Sequence, residues 1–165
     1  MNTIRVRDGP EIEAGVLTLA PVSTLDDVMA LRLLRNECRS SMTGSTGEIT
    51  EAQQLAWWQN VAGNPNWCVW LVYVPSWDDP VGYALLRRAI SYWYISLGLR
   101  TWMRGQGLGT TIYRMLEARC EGDVVAVIRS DNIASIRAAV KAGYESFPWT
   151  TPGQVALVGR KGARG

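Results

Sequence analysis

The chain has no histidine in its 165 residues, which excludes His-based catalytic triads and His-ligated metal sites. Its three cysteines, Cys38, Cys68 and Cys120, are far apart and odd in number, so neither a disulfide framework nor a thiolate metal site is expected. That usage fits a reducing cytoplasm. Lysine is scarce: Lys141 and Lys161 are the only two, and arginine supplies the rest of the 17 basic residues. Arginine suits recognition of phosphate and carboxylate. An excess of one charge is missing, since 17 basic and 15 acidic residues leave +2, too little to imply a nucleic-acid partner. Long apolar runs are missing too, so no membrane span is expected, and the first 15 residues lack the apolar stretch of a signal peptide. What remains is a composition 47% hydrophobic and 19% charged, that of a globular chain able to bury one core as a single domain over residues 1–165.

Periodicity predicts an alternation of strands and helices. Residues 15–22 alternate as a strand. Ser23 or Thr24 then caps a helix to about Asn36, with Leu25, Val28, Met29, Leu31 and Leu34 on its apolar side. Thr50 opens a second helix that ends at Gly63. Residues 67–74, 81–89 and 91–99 read as three strands separated by turns, with Trp67, Trp70 and Trp93 as core anchors. A glycine-rich loop follows, then a helix over 108–120, and then the apolar run 123–129, which reads as a buried strand. Asn132 caps a further helix closed by Gly143, and the tail forms a hairpin around Pro152-Gly153. The order is β, α, α, β, β, β, α, β, α, β, β: a mixed α/β unit, antiparallel first, with a βαβ crossover.

The stretch "RGQGLGTT", residues 104–111, raises the question of function. It could be a turn in which glycines supply positive φ. It could be a dinucleotide fingerprint, although Gly105, Gly107 and Gly109 are spaced G-x-G-x-G and follow an antiparallel meander. A Walker loop is excluded because no Gly-Lys-Ser/Thr follows. The third reading is R-x-x-G-x-G at a helix N-terminus, where backbone N–H groups and the positive end of the dipole hold a diphosphate and Arg104 adds a charged donor.

Arg104-Gly105-Gln106-Gly107-Leu108-Gly109 resembles the pyrophosphate loop of the GNAT N-acetyltransferase superfamily. Downstream, Asn132, Ser135, Arg137, Lys141, Gly143 and Tyr144 follow the superfamily's second cofactor segment, N-x-x-S-x-R-x-x-x-K-x-G-[FY], nearest the branch of ribosomal-protein, polyamine and amino-sugar acetyltransferases. The resemblance covers nearly the whole chain. It implies a central, mostly antiparallel mixed sheet of about seven strands flanked by about four helices, splayed between the strands before and after the glycine-loop helix. It also implies acetyl-CoA as donor and direct attack by a primary amine. Leu97 and Leu99 would offer backbone groups to pantetheine and thioester, with Gly98 in a bulge, and an N–H near Leu99 would stabilise the oxyanion, worth about 3 kcal/mol. Gln106, Gly107, Gly109 and Thr110 would hold the pyrophosphate beside Arg104, Gly105 and Leu108. Asn132, Ser135 and Arg137 would serve the sulfur end and the rest of the cofactor.

The acid and base do not carry over. The place of the family's glutamate falls at about Tyr94, in a strand without a carboxylate, and the place of its tyrosine is Ala139. Ser135 is the candidate donor to the leaving sulfur, against a reading as a packed helix-face serine. Tyr94 and Ser96 are candidates for ordering a water. On the acceptor side the resemblance extends faintly to enzymes of nucleotide-linked amino sugars through Arg35, Asn36, Arg39, Met42, Ile49, Trp57 and Trp58. Arg35, Asn36, Trp58 and Ser96 are therefore candidate substrate contacts, against a reading as core anchors and solvated charge. Trp102 is a candidate exposed contact. A small amine such as an amino sugar or polyamine is the expected acceptor. A protein N-terminus, a non-catalytic acyl-CoA-binding domain and an NAD(P)-dependent oxidoreductase are the rivals, and a homodimer paired through edge strands is compatible with the fold.

Overall fold

A computed structural model of the chain describes residues 12–13, 17–44, 47–75 and 77–160. Its eight strands are β1 (Ile12–Glu13), β2 (Thr18–Pro21), β3 (Trp67–Tyr73), β4 (Gly82–Arg88), β5 (Tyr92–Leu99), β6 (Asp123–Arg129), β7 (Glu145–Phe147) and β8 (Gln154–Gly159). Four α-helices accompany them: α1 (Leu25–Cys38), α2 (Glu51–Val61), α3 (Leu108–Arg119) and α4 (Ile133–Lys141). The sheet order is β1-β2-β3-β4-β5-β6-β8-β7, antiparallel throughout except for the parallel pair β5–β6. This is the mixed α/β architecture that the patterning predicts. The start of the expected strand, Gly15 and Val16, lies outside the described residues.

Local chemistry explains the boundaries. Thr24 and Thr50 each form a capping box, with Asp27 and Gln53 reaching back to the cap nitrogen, a device worth about 1 kcal/mol per helix. Asn132 Oδ1 accepts from Ser135 N at the start of α4. Gly63 and Gly143, where α2 and α4 close, have φ of 71° and 91°. Leu25 corrects an expectation. Periodicity puts it on the apolar side of α1, yet it is 67% exposed, because the stripe that packs on the sheet is Val28, Leu31, Leu34 and Cys38.

Strand alternation sends the two sets of side chains into different layers. Leu19, Val72, Ala84, Leu86, Ile95, Val124, Ala126 and Leu157 pack with α3 and α4 residues including Ile112, Leu116 and Ala139. The other face, including Val69, Leu71, Tyr73 and Tyr83, packs under α1 and α2. Trp70 is core at 5% exposure, whereas Trp67 and Trp93 are only half-buried against it. No helix among the described residues is long and apolar enough to cross a membrane.

Candidate functional site

The parallel pair comes apart. β5 and β6 are in register from Tyr92–Asp123 to Ile95–Ala126, and there the pairing stops although β5 runs to Leu99 and β6 to Arg129. On its other side β5 stays paired with β4 along its whole length. That register is continuous through Tyr83–Gly98 and Gly82–Leu99, so Gly98 is not in a bulge, which corrects the sequence expectation. The reason for glycine is proximity: a Cβ there would lie 2.6 Å from Tyr83 Cε1 and 2.9 Å from Cys38 Sγ. Ala89 N–Tyr92 O and Arg100 N–Val81 O bonds fix the alternation, so even-numbered residues of β5 bond to β4. The backbone groups of Leu97 and Leu99 consequently face the gap.

The gap opens onto the glycine loop. Gly105 and Gly107 have φ of 77° and 81°, which favours glycine at both, while a Cβ at Gly109 would make van der Waals contact with Ala138 Cβ at 3.4 Å. Gly107 is the N-cap of α3 and supplies no side-chain cap, unlike the caps of the other three α-helices among the described residues. The first N–H groups of α3 are thus left to an outside acceptor until Thr111 N bonds Gly107 O. A cavity of about 690 Å³ joins the gap, the loop and the start of α4. Its lining includes Leu97, Gly98, Leu99, Arg104, Gly105, Gly107, Leu108, Gly109, Thr110, Asn132, Ser135 and Arg137, nearly the whole expected cofactor set. Gln106 is missing from it; its side chain is exposed and donates to Trp102 O at 3.4 Å. The Thr110 hydroxyl is committed to Ala138 O at 3.2 Å, leaving its backbone N–H for a ligand.

Two residues not singled out in the sequence sit among these. Tyr113, on α3, is buried and its hydroxyl lies 3.1 Å from Ser135 Oγ. Burial pushes its phenol up to about 12, partly offset by the Ser135 hydrogen bond, so at neutral pH it is a neutral donor. In the sequence it reads as one more apolar position of α3. Cys38, at the end of α1, lines the cavity with its Sγ 3.5 Å from Leu99 O and 3.9 Å from Arg104 Nη2. Burial raises its thiol pKa, opposed by Arg104. Arg104 itself turns its Nε onto Leu99 O at 3.1 Å, tying the loop to the end of β5.

The acceptor candidates divide. Arg35 and Ser96 line the main cavity, whereas Asn36 and Trp58 do not. Asn36 is used to pin the chain ahead of α2, accepting from Ile49 N at 2.7 Å and donating to Ile49 O at 3.0 Å. Trp58 packs half-buried against the core under α1 and α2. Tyr94 and Ser96 line a second cavity of about 340 Å³, which shares Thr43, Leu85, Ile95, Ser96 and Val127 with the first and adds Trp67, Arg87, Trp149 and Gln154. The hydrogen bond to Tyr92 raises the Tyr94 phenol pKa, helped by desolvation, so Tyr94 is a donor and not a base near neutrality. Trp102 is 47% exposed and packs against Trp77, with ring centroids 4.6 Å apart. Among the described residues no cluster of His, Cys, Asp and Glu could hold a metal ion.

A mixed sheet with a parted central pair, and an uncapped helix start lining the same cavity, makes a site for an extended ligand that ends in an anion. The chain belongs to the acetyltransferase (GNAT) family, whose pattern matches residues 30–144. It is an acetyltransferase of that family. Solved structures share the fold. The complex of AAC(6')-Ib with ribostamycin and coenzyme A superposes with TM-score 0.76 at 21% identity, over 91% of this chain and 98% of that one. RimL, a ribosomal L7/L12 α-N-protein acetyltransferase with coenzyme A, gives 0.71 at 15% over 91% and 97%. A probable GNAT acetyltransferase from Chromobacterium violaceum gives 0.71 at 15% over 92% and 86%. No curated protein sequence matches the chain.

Proposed function

We propose that the protein transfers the acetyl group of acetyl-CoA to the primary amine of a small molecule within a ternary complex. The observation that carries this reading is the parting of β5 and β6 beyond Ile95–Ala126, leading directly to the uncapped N-terminus of α3. The residues fit the donor. The N–H groups of Gly107, Leu108, Gly109 and Thr110 take the pyrophosphate, with Arg104, Arg137 and Lys141 lining the same cavity. Leu97 and Leu99 pair with the pantetheine arm as a missing strand would, and the Leu99 N–H donates to the thioester oxygen.

The donor supplies an activated acyl group, and the chain's part is to orient it and manage protons. The amine nitrogen bonds to the acetyl carbon, the C–S bond breaks, the amine loses a proton to water and the departing sulfur takes one up. Ser135 is the proposed hydrogen-bond donor to that sulfur, whose proton comes from solvent, and Tyr113 orients Ser135 through the 3.1 Å hydroxyl contact. Ser96, where the two cavities meet, and Tyr94, in the second cavity, border the amine's entry. Of the two acceptors first expected, an amino sugar is favoured over a polyamine, because none of the described residues lining either cavity is Asp or Glu.

Calorimetric titration with acetyl-CoA, coenzyme A and NAD tests the reading. Binding of both coenzyme A forms in the micromolar range, no binding of NAD, and loss of binding in a folded Gly107→Trp variant are expected. A folded wild-type protein that binds neither coenzyme A form would reduce the glycines to a turn.

A further inference from the structure

Arg35 is a charge in search of a counter-ion. Its Nη1 donates to Gln54 Oε1 at 3.1 Å and its guanidinium carbon lies 4.9 Å from the Trp57 ring centroid. Its Nε is buried and has no hydrogen-bond partner among the described residues. The ion pairs of the described residues are Arg100–Glu37, Arg129–Asp131 and Arg160–Asp123, and none involves Arg35. Burial lowers its pKa, but a guanidinium stays ionised near neutrality. A half-buried cation held by one amide oxygen and one ring is under-compensated, and folding tolerates that when a ligand supplies the anion.

The second cavity adds a solvent-exposed cation: the Arg87 guanidinium carbon lies 4.7 Å from the Tyr94 ring centroid, and Arg87 forms no ion pair among the described residues. Trp149 packs edge-to-face with Tyr94, ring centroids 6.4 Å apart and planes at 78°, its Nε1 held by Gln154 Oε1 at 3.0 Å. Among the described residues the acceptor side thus offers two guanidiniums, an edge-to-face pair of aromatic rings and no carboxylate. A polycation would meet like charge there and find nothing to neutralise it.

We propose that the acceptor is an amine that also carries a carboxylate or phosphate, taken up against Arg35, with its ring or planar part in the second cavity beside Tyr94 and Trp149. This rests on the N-acetyltransferase reading, and names the chemistry of its second substrate. Two matched pairs test it by calorimetry on the protein saturated with coenzyme A: tyrosine against tyramine for carboxylate, and glucosamine 6-phosphate against glucosamine for phosphate, with spermidine as the polycation. The anionic member of at least one pair should bind tenfold or more tighter than its neutral-tailed partner. Arg35→Gln should abolish that ratio, Arg35→Lys should keep part of it, and both should bind coenzyme A within twofold of wild type. Ratios within twofold in both pairs, no binding of either anionic member, tighter binding of spermidine, or a ratio that survives in Arg35→Gln overturns the proposal. The wild-type comparison decides even if a variant folds poorly. Failure of the underlying reading is separate, because it appears as loss of coenzyme A binding before any acceptor is added.

Discussion

Gly98→Ala adds one methyl group where the gap, the α1 end and β4 meet. Gly98 has no positive φ, so in an open strand the substitution would stabilise the fold by about 0.5–1 kcal/mol through the unfolded chain. The structure reverses that sign. The new carbon would stand 2.6 Å from Tyr83 Cε1, 3.0 Å from Tyr83 Cζ and 2.9 Å from Cys38 Sγ. Tyr83 is 1% exposed and Cys38 3%, so neither can swing into solvent to relieve the contact. Overpacking of this kind costs about 1–3 kcal/mol, and in a domain of this size that lowers Tm by roughly 2–12 °C. Differential scanning calorimetry reads it directly. Because Cys38 supplies one of the three contacts, Cys38→Ala should relieve part of the strain, leaving the double variant about 1 kcal/mol more stable than the sum of the singles. A Gly98→Ala protein with unchanged or raised Tm, or strict additivity with Cys38→Ala, would refute the packing argument.

Two further outcomes follow from the proton-bearing groups. Ser135→Ala should lower kcat by about 10–100-fold with the KM for acetyl-CoA within twofold, and Tyr113→Phe should lower kcat by less in the same KM-neutral way; unchanged kcat in Ser135→Ala removes its role as donor. Burial pushes the phenols of Tyr83 and Tyr113 up to about 12, so the neutral forms are favoured by folding. Their contribution is complete below pH 10 and is lost as pH rises from 10 through 12, roughly 2–3 kcal/mol each. Urea midpoints should therefore fall across that window and fall less in Tyr113→Phe. A flat profile would contradict the burial of both rings.

Most of the fold was legible because local signals agreed with one another. Thr24, Thr50 and Asn132 mark the helix starts at which they sit, and the apolar run 123–129 is β6 residue for residue. The lining of the main cavity was legible for the same reason, since three short segments, the end of β5, the glycine loop and the start of α4, supply most of it. Leu25 was misplaced because periodicity gives a face but not how far the neighbouring layer extends over it. The bulge expected at Gly98 was wrong because a glycine in a strand serves close approach as well as irregularity, and only Tyr83 and Cys38, distant in sequence, distinguish the two. Tyr113 and Cys38 carried no sequence signal for the same reason. The acceptor side was the least readable part, since Trp67, Arg87, Tyr94 and Trp149 are brought together from three strands and the segment after β7.

The parting of β5 from β6 has a thermodynamic consequence. Beyond Ile95 the centre of the sheet has an interior edge, a strand margin enclosed by its own domain and hidden from edge-to-edge aggregation. The domain is thus incomplete by one strand, and the pantetheine arm supplies it in the reading above. Amide hydrogens of Leu97 and Leu99 should exchange quickly in the free protein and slowly in the loaded one. At a donor concentration a hundred times Kd the gain in stability is about 2.7 kcal/mol. The lifetime of the protein would then rise and fall with the acyl-carrier pool on which it draws.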